Sequence, residues 1–280
     1  MTELNPDPEK GKTPDPEQPD DAKSHQKQEK DQAPKTQDNK EPAVEGEYLP
    51  PKDLPKEFDY KIAGRPDFAR LSLNLEAGQT VKAEASAMIA MDTNVTMKSK
   101  FKGGFKRFLG GESLFINEFT AEEFSGRVTL ANGLPGDVFH YHLEEGQENA
   151  VFLSSGAFLA SGMDVQVDTK FQGVVKGFFS GAGLFLLKCS GHGDVFFNTY
   201  GGIVEIDVED EYTIDNNHIV AFTDELEYKV TKFGGYKSFF LSGEAFVTKF
   251  EGRGKIWIQT RKVPAFSAWI WPFRPKKSSN

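Results

Sequence analysis

From Phe58 onward, short apolar runs alternate with polar positions at a period of two, and almost nowhere does an apolar stripe recur every 3.6 residues over helical length. Arg70–Leu75 (RLSLNL) places Leu71, Leu73 and Leu75 on one face. Ile203–Val208 (IVEIDV) repeats the alternation, and residues 255–259 (KIWIQ) set Ile256 and Ile258 on one side. Glycine pairs such as Gly103-Gly104, Gly110-Gly111, Gly201-Gly202 and Gly234-Gly235 separate these runs, supplying the positive-φ positions that tight turns require. Short strands with turns this frequent predict an all-β fold, a sandwich, barrel or β-helix, and not a parallel sheet with helical crossovers.

Three related segments strengthen that expectation. Gly111-Glu112-Ser113-Leu114-Phe115, Gly181-Ala182-Gly183-Leu184-Phe185 and the shorter Gly243-Glu244-Ala245-Phe246 each follow a Phe-containing stretch. After a further glycine turn, each leads to another apolar run, at 128–130, 195–197 and 256–258. Spacing of this size predicts triplication of a small β-sandwich or double-stranded β-helix unit over residues 58–262.

Composition divides the chain in two. Residues 1–57 hold 10 of the 15 prolines, 2 of the 27 glycines and none of the 25 phenylalanines, with 15 acidic against 9 basic residues. Ordering a residue's backbone costs roughly 1–2 kcal/mol, and so few apolar side chains cannot offset it, so this segment reads as a disordered tail. A net charge of −9 disfavours a nucleic-acid binder that works by bulk positive charge. The single cysteine, Cys189, excludes an internal disulfide or a multi-cysteine zinc site, and its apolar surroundings predict an inert thiol. Residues 1–10 (MTELNPDPEK) lack the basic and apolar regions of a secretory signal, and no window is apolar enough for a membrane-spanning helix, which makes the cytoplasm the expected location.

Candidate chemistry is sparse. His140 and His142 share a strand face, and Glu144 continues it, so the three form a weak candidate metal set of cupin-like type. The plainer reading is a polar strand face. Glu205, Asp207, Glu209 and Glu211 read as a carboxylate row along one strand, a poor cage for a single ion because same-face neighbours lie about 6.6–7 Å apart. Residues 97–111 interleave Lys98, Lys100, Lys102, Lys106 and Arg107 with Phe101, Phe105 and Phe108, a pattern that suits single-stranded RNA or an anionic ligand as well as a Gly-rich hairpin with solvated lysines. Residues 263–280 form an aromatic and basic strip with Phe266, Trp269, Trp271, Phe273 and Arg274, expected to pack on the β core or a neighbouring subunit, or to meet a membrane interface through 263–277. No nucleophile elbow, Walker lysine or dinucleotide fingerprint occurs, so no catalytic residue and no cofactor is expected.

Residues 76–120, including Met91-Asp92 and Gly111-Glu112-Ser113-Leu114-Phe115, resemble the opening of a family of uncharacterised bacterial and archaeal proteins related to the altered-inheritance-of-mitochondria proteins. Leu134-Pro135-Gly136-Asp137, residues 156–161 (GAFLAS), 214–222 (IDNNHIVAF) and 241–259 continue the likeness in order, with Ser86 standing where the family usually has glycine. The resemblance implies a fold similar to the tryptophan-RNA-binding attenuation protein, three β units per chain and a homotrimer; it implies no catalytic residues. Its mitochondrial relatives are linked with inner-membrane organisation. Together these readings lead to a non-enzymatic, self-associating β scaffold, membrane-associated or part of a larger assembly, with two alternatives: a cupin-like metal-dependent enzyme using His140 and His142, and single-stranded RNA or anionic-ligand binding through residues 97–111.

Overall fold

The computed structural model describes residues 55–101, 115–146, 150–154, 156–171, 185–232 and 246–274. Strand β1 (Asp59–Ala63) is followed by three sets of six. The first is β2 (Arg70–Leu75), β3 (Thr80–Glu84), β4 (Met88–Met91), β5 (Val95–Phe101), β6 (Phe115–Ala121) and β7 (Gly126–Leu130). The second is β8 (Val138–Leu143), β9 (Ala150–Ser154), β10 (Phe158–Ser161), β11 (Val165–Phe171), β12 (Phe185–Gly191) and β13 (Gly193–Asn198). The third is β14 (Ile203–Val208), β15 (Glu211–Asp215), β16 (Ile219–Thr223), β17 (Glu227–Lys232), β18 (Phe246–Glu251) and β19 (Gly254–Gln259). Among the described residues the elements are strands, apart from a 3-10 turn at Asn216–His218, until a short helix, α1 (Val263–Ile270), and a second 3-10 turn (Trp271–Phe273) close the described chain. The three related sequence segments run into β6, β12 and β18, the second strands of three antiparallel hairpins.

One pairing scheme recurs in every set. The first, sixth and third strands form a ladder, as in β2-β7-β4, and the fourth, fifth and second form another, as in β5-β6-β3. The sets are then joined edge to edge: β3 pairs with β10, and β9 with β16. Two six-stranded sheets result, β5-β6-β3-β10-β13-β8 and β11-β12-β9-β16-β19-β14, flanked by β1-β2-β7-β4 and β15-β18-β17.

Three apolar cores follow from this layering. Leu71, Leu73 and Leu75 of β2 meet Val81, Ala83, Phe119 and Phe196 in the first. Val151, Leu153, Val195, Phe197, Cys189 and Trp257 fill the second, and Phe152, Phe222, Phe250 and Ile256 the third. Period-two alternation sends Phe196 to one core and its neighbours Val195 and Phe197 to another; Phe152 is divided from Val151 and Leu153 in the same way. Strands buried on both faces read as continuous apolar runs, which explains VFF in β13 and AVFL in β9. Gly136 marks a tight crossing: it bridges both Phe68 and Gly201, and a side chain there would overlap the Thr199 carbonyl.

Two sequence expectations change here. The carboxylate row is divided between two strands: β14 ends at Val208 and Glu211 begins β15, because the chain bends at Glu209 and Asp210 and passes from pairing with β19 to pairing with β18. The C-terminal strip is helical over Val263–Ile270, with a proline in its first turn, and none of its residues is buried, so it does not pack into its own β core. Its apolar residues are too close together for a polar strand face, and Pro264 begins the turn with φ already suited to a helix.

Ser86, between β3 and β4, adopts φ 73°, the left-handed region that favours glycine. The strain of a side chain there, about 1–2 kcal/mol, exceeds the roughly 0.4–1 kcal/mol of unfolded-state freedom that glycine adds. Ser86→Gly is therefore expected to raise stability by about 0.5 kcal/mol, measured as an increase in denaturation midpoint without a change in slope.

Candidate functional site

The candidate site lies where β8 and β13 pair. His142 stands directly opposite Asp194, and His140 opposite Phe196, so the two imidazoles and the carboxylate share one face. Asp194 is fully buried. Its Oδ1 accepts from His140 Nε2 at 2.8 Å and from His142 Nδ1 at 2.7 Å. Its Oδ2 accepts from the backbone N–H groups of Glu57 and Phe58, at 2.9 and 3.0 Å, just ahead of β1. One carboxylate thus joins β8, β13 and the start of the folded chain.

Burial alone would push the Asp194 carboxyl up, but hydrogen bonds and charge interaction from His140, with further hydrogen bonds from His142 and Phe58, bring it below the usual carboxylate range. Glu57 behaves oppositely: burial raises it, outweighing the hydrogen bond that its Oε2 accepts from the Asp194 N–H at 3.3 Å. Its carboxylate lies against Gly162 and Gly193, at both of which a side chain would collide with it. Tyr60 and Phe196 contact the His140 ring at centroid distances of 4.7 and 5.1 Å and each other at 4.9 Å, a three-ring cluster that packs the imidazole. Chemically, the set offers two imidazole nitrogens and one carboxylate oxygen, ligand types that suit a borderline divalent ion.

The other sequence candidates are dispersed. Glu144 is exposed and lies outside the His140–His142–Asp194 cluster; Asp194 replaces it as the third member because the neighbouring strand, not the next same-face residue, closes the site. Lys98 and Lys100 project from β5 into solvent, Lys100 pairing with Glu118 at 2.7 Å. The Phe101 side chain, Lys102, Phe105, Lys106 and Arg107 lie outside the described residues. On β14, Glu205 and Asp207 both engage Lys255, and Glu205 also accepts from Trp257 Nε1 at 2.8 Å. These contacts use the carboxylates for cross-strand neutralisation. An open groove of 670 Å³ beside them is lined by Tyr141, Glu209, Glu225 and Arg253 among others. Cys189 is fully buried and its thiol is pushed up to about 12 by that burial, which agrees with an inert side chain.

On α1 and the following turn, Trp269, Trp271 and Phe273 are 66%, 60% and 73% exposed. Trp269 contacts Phe266 and Phe273 at centroid distances of 6.0 and 5.9 Å, and Arg274 stacks on Trp271 at 3.5 Å. The helix meets the β domain through Phe266, whose ring lies 6.0 Å from Tyr200.

Sequence reasoning missed Asp194 and Glu57. Asp194 is a lone acid at the head of an apolar strand, GDVFFN, and only the β8–β13 register shows that it faces the histidines. Removing its carboxylate leaves two backbone donors and two imidazoles without their acceptor. Hydrogen bonds to a buried charge are worth about 1.5–3 kcal/mol each, so Asp194→Ala is expected to cost at least about 3 kcal/mol in a denaturant titration. Because the carboxyl is held below its unfolded value, its contribution is present above the unfolded pKa and is lost as pH falls through the folded one. The wild-type chain should therefore lose more stability than Asp194→Ala on acidification below about pH 4.

Residues 60–261 match the family model described as mitochondrial biogenesis AIM24. An uncharacterised protein of Streptococcus pyogenes serotype M6 is 30% identical over 225 residues, covering 76% of this chain and 89% of its own length. A crystal structure of a Streptococcus pyogenes protein superposes with a TM-score of 0.65 at 28% identity, covering 78% of this chain and all of that one. With the match spanning β1 to β19, the chain belongs to the mitochondrial biogenesis AIM24 family.

Proposed function

We propose that this protein is a non-enzymatic β scaffold whose copies associate head to tail through two free sheet edges. The observation that carries the reading is the repeated junction between sets. In the first junction Ala160 of β10 faces Ala83 of β3, and in the second Ala221 of β16 faces Leu153 of β9. By their ladders to β7, β13 and β19, the strands β4, β10 and β16 are equivalent, each with its register shift two residues ahead of the matching Ala90, Ala160 or Ala221. By their ladders to β6, β12 and β18, β3, β9 and β15 are equivalent, with Ala83, Leu153 and Ile214 at the same position.

Among the described residues, two edges of this type remain at the ends of the series, β4 in the first set and β15 in the third. Strand β4 presents Met88, Ile89 and Met91 at 37%, 56% and 40% exposure. An apolar edge strand without a charge or cover is a pairing surface. Placing β15 of one copy on β4 of the next, in the register of the internal junctions, sets Ala90 against Ile214 and Met91 against Thr213. A contact of this kind is heterologous, so copies close into a ring or extend. Closure after three copies is what the attenuation-protein likeness implies, and the recurring pairings support duplication of one ancestral unit.

The exposed aromatic cluster on α1 supports a second element of the reading, attachment of the scaffold to a membrane interface or a larger assembly. Indole rings beside Arg274 suit the boundary between head groups and acyl chains. Among the described residues no helix is long and apolar enough to cross a membrane, so this contact would be peripheral.

Both elements can be measured. Met91→Cys combined with Thr213→Cys should give ladders of cross-linked chains under mild oxidation, whereas either change alone should not; the buried Cys189 supplies no competing thiol. A cross-link confined within single chains, or none while light scattering shows oligomers, would exclude this register. In liposome flotation, a chain ending at Lys262 should lose most of the vesicle-bound fraction of the full-length protein, and equal partitioning would remove the membrane element.

A further inference from the structure

We infer that His140, His142 and Asp194 form a divalent transition-metal site that fastens the start of the folded chain to the central sheet. One ligating atom from each of the three residues lies within 4.8 Å of those of the other two. Tetrahedral coordination at about 2.05 Å per bond places donor atoms roughly 3.3 Å apart, so the present separations of 2.7 and 2.8 Å need open by only about half an ångström. Two imidazoles and one carboxylate, with a fourth position left for water, match zinc or cobalt better than the all-oxygen shells of calcium and magnesium.

Three further features are those of a metal centre. The Asp194 carboxyl is fully buried, yet among the described residues no lysine or arginine side chain pairs with it. A cation would supply the missing positive charge. The shell around the ligands is already ordered: Oδ2 of Asp194 is held by the Glu57 and Phe58 N–H groups, and the His140 ring packs against both Tyr60 and Phe196. Finally, the His142 side chain retains 22% exposure against 5% for His140, giving an ion a route from solvent. Because the carboxylate that would bind the ion also grips residues 57 and 58, occupancy would stabilise the attachment of β1 as well as the ligands themselves.

The test uses the full chain stripped with chelator and titrated with Zn2+ or Co2+ alone. One ion per chain is expected, with a tetrahedral cobalt spectrum and a rise in thermal midpoint. His142→Asn keeps an N–H donor toward Asp194 but removes the imidazole ligand; it should weaken binding by at least about a hundredfold while circular dichroism stays native. His192→Ala, at an exposed histidine near Asp164, should leave affinity unchanged. Absence of stoichiometric binding to the folded chain would overturn the assignment. So would unaltered affinity in a folded His142→Asn protein, or loss of binding on His192→Ala.

Discussion

The structure depends on strands that serve two sets at once. Strand β3 hydrogen-bonds to β6 of its own set on one side and to β10 of the next on the other, and β9 stands in the same relation to β12 and β16. Each internal sheet is therefore the shared wall of two cores. Backbone groups that would be edges are paired, and side chains on both faces leave water. The apolar runs AVFL and VFFN exist because those strands have no solvent face to alternate with. In contrast, β14 is an edge strand on an outer surface, with Val204, Glu205 and Asp207 exposed and both carboxylates turned toward Lys255.

Much of this was legible from local pattern. Period-two alternation found the outer strands, and the glycine-flanked segments located the hairpin strands β6, β12 and β18. Ser86 stood out against the family's glycine, and its positive φ gives the physical reason. What was not legible is long-range register. The two histidines were visible because residues two apart share a strand face, whereas Asp194 reaches them only through the antiparallel alignment of β8 with β13. Glu57 belonged to the polar tail by composition, yet it accepts the Asp194 N–H and sits against two glycines. The same blindness made a single carboxylate row of residues divided by a bend between β14 and β15.

The distribution of polar groups separates structural from external roles. Inside, Lys82 donates from Nζ to the carbonyls of Met163 and Val165, at 3.0 and 2.5 Å, and Asp137 receives the Arg65 guanidinium through two hydrogen bonds. Such buried groups hold loops to sheets, and each is costly to leave unmatched. Outside, the apolar exceptions are concentrated on β4 and on α1 with its following turn.

Shared walls also bear on how the chain is made. As synthesis proceeds, β3 can join β6 as soon as the first hairpin emerges, but its outer edge waits until β10 has left the ribosome. During that interval a nascent chain presents an unpaired ladder and a first core that still lacks Leu159, Ala160 and Phe196. The first set is therefore the vulnerable stage of biogenesis, where a holdase chaperone or slow elongation through the second set would matter most.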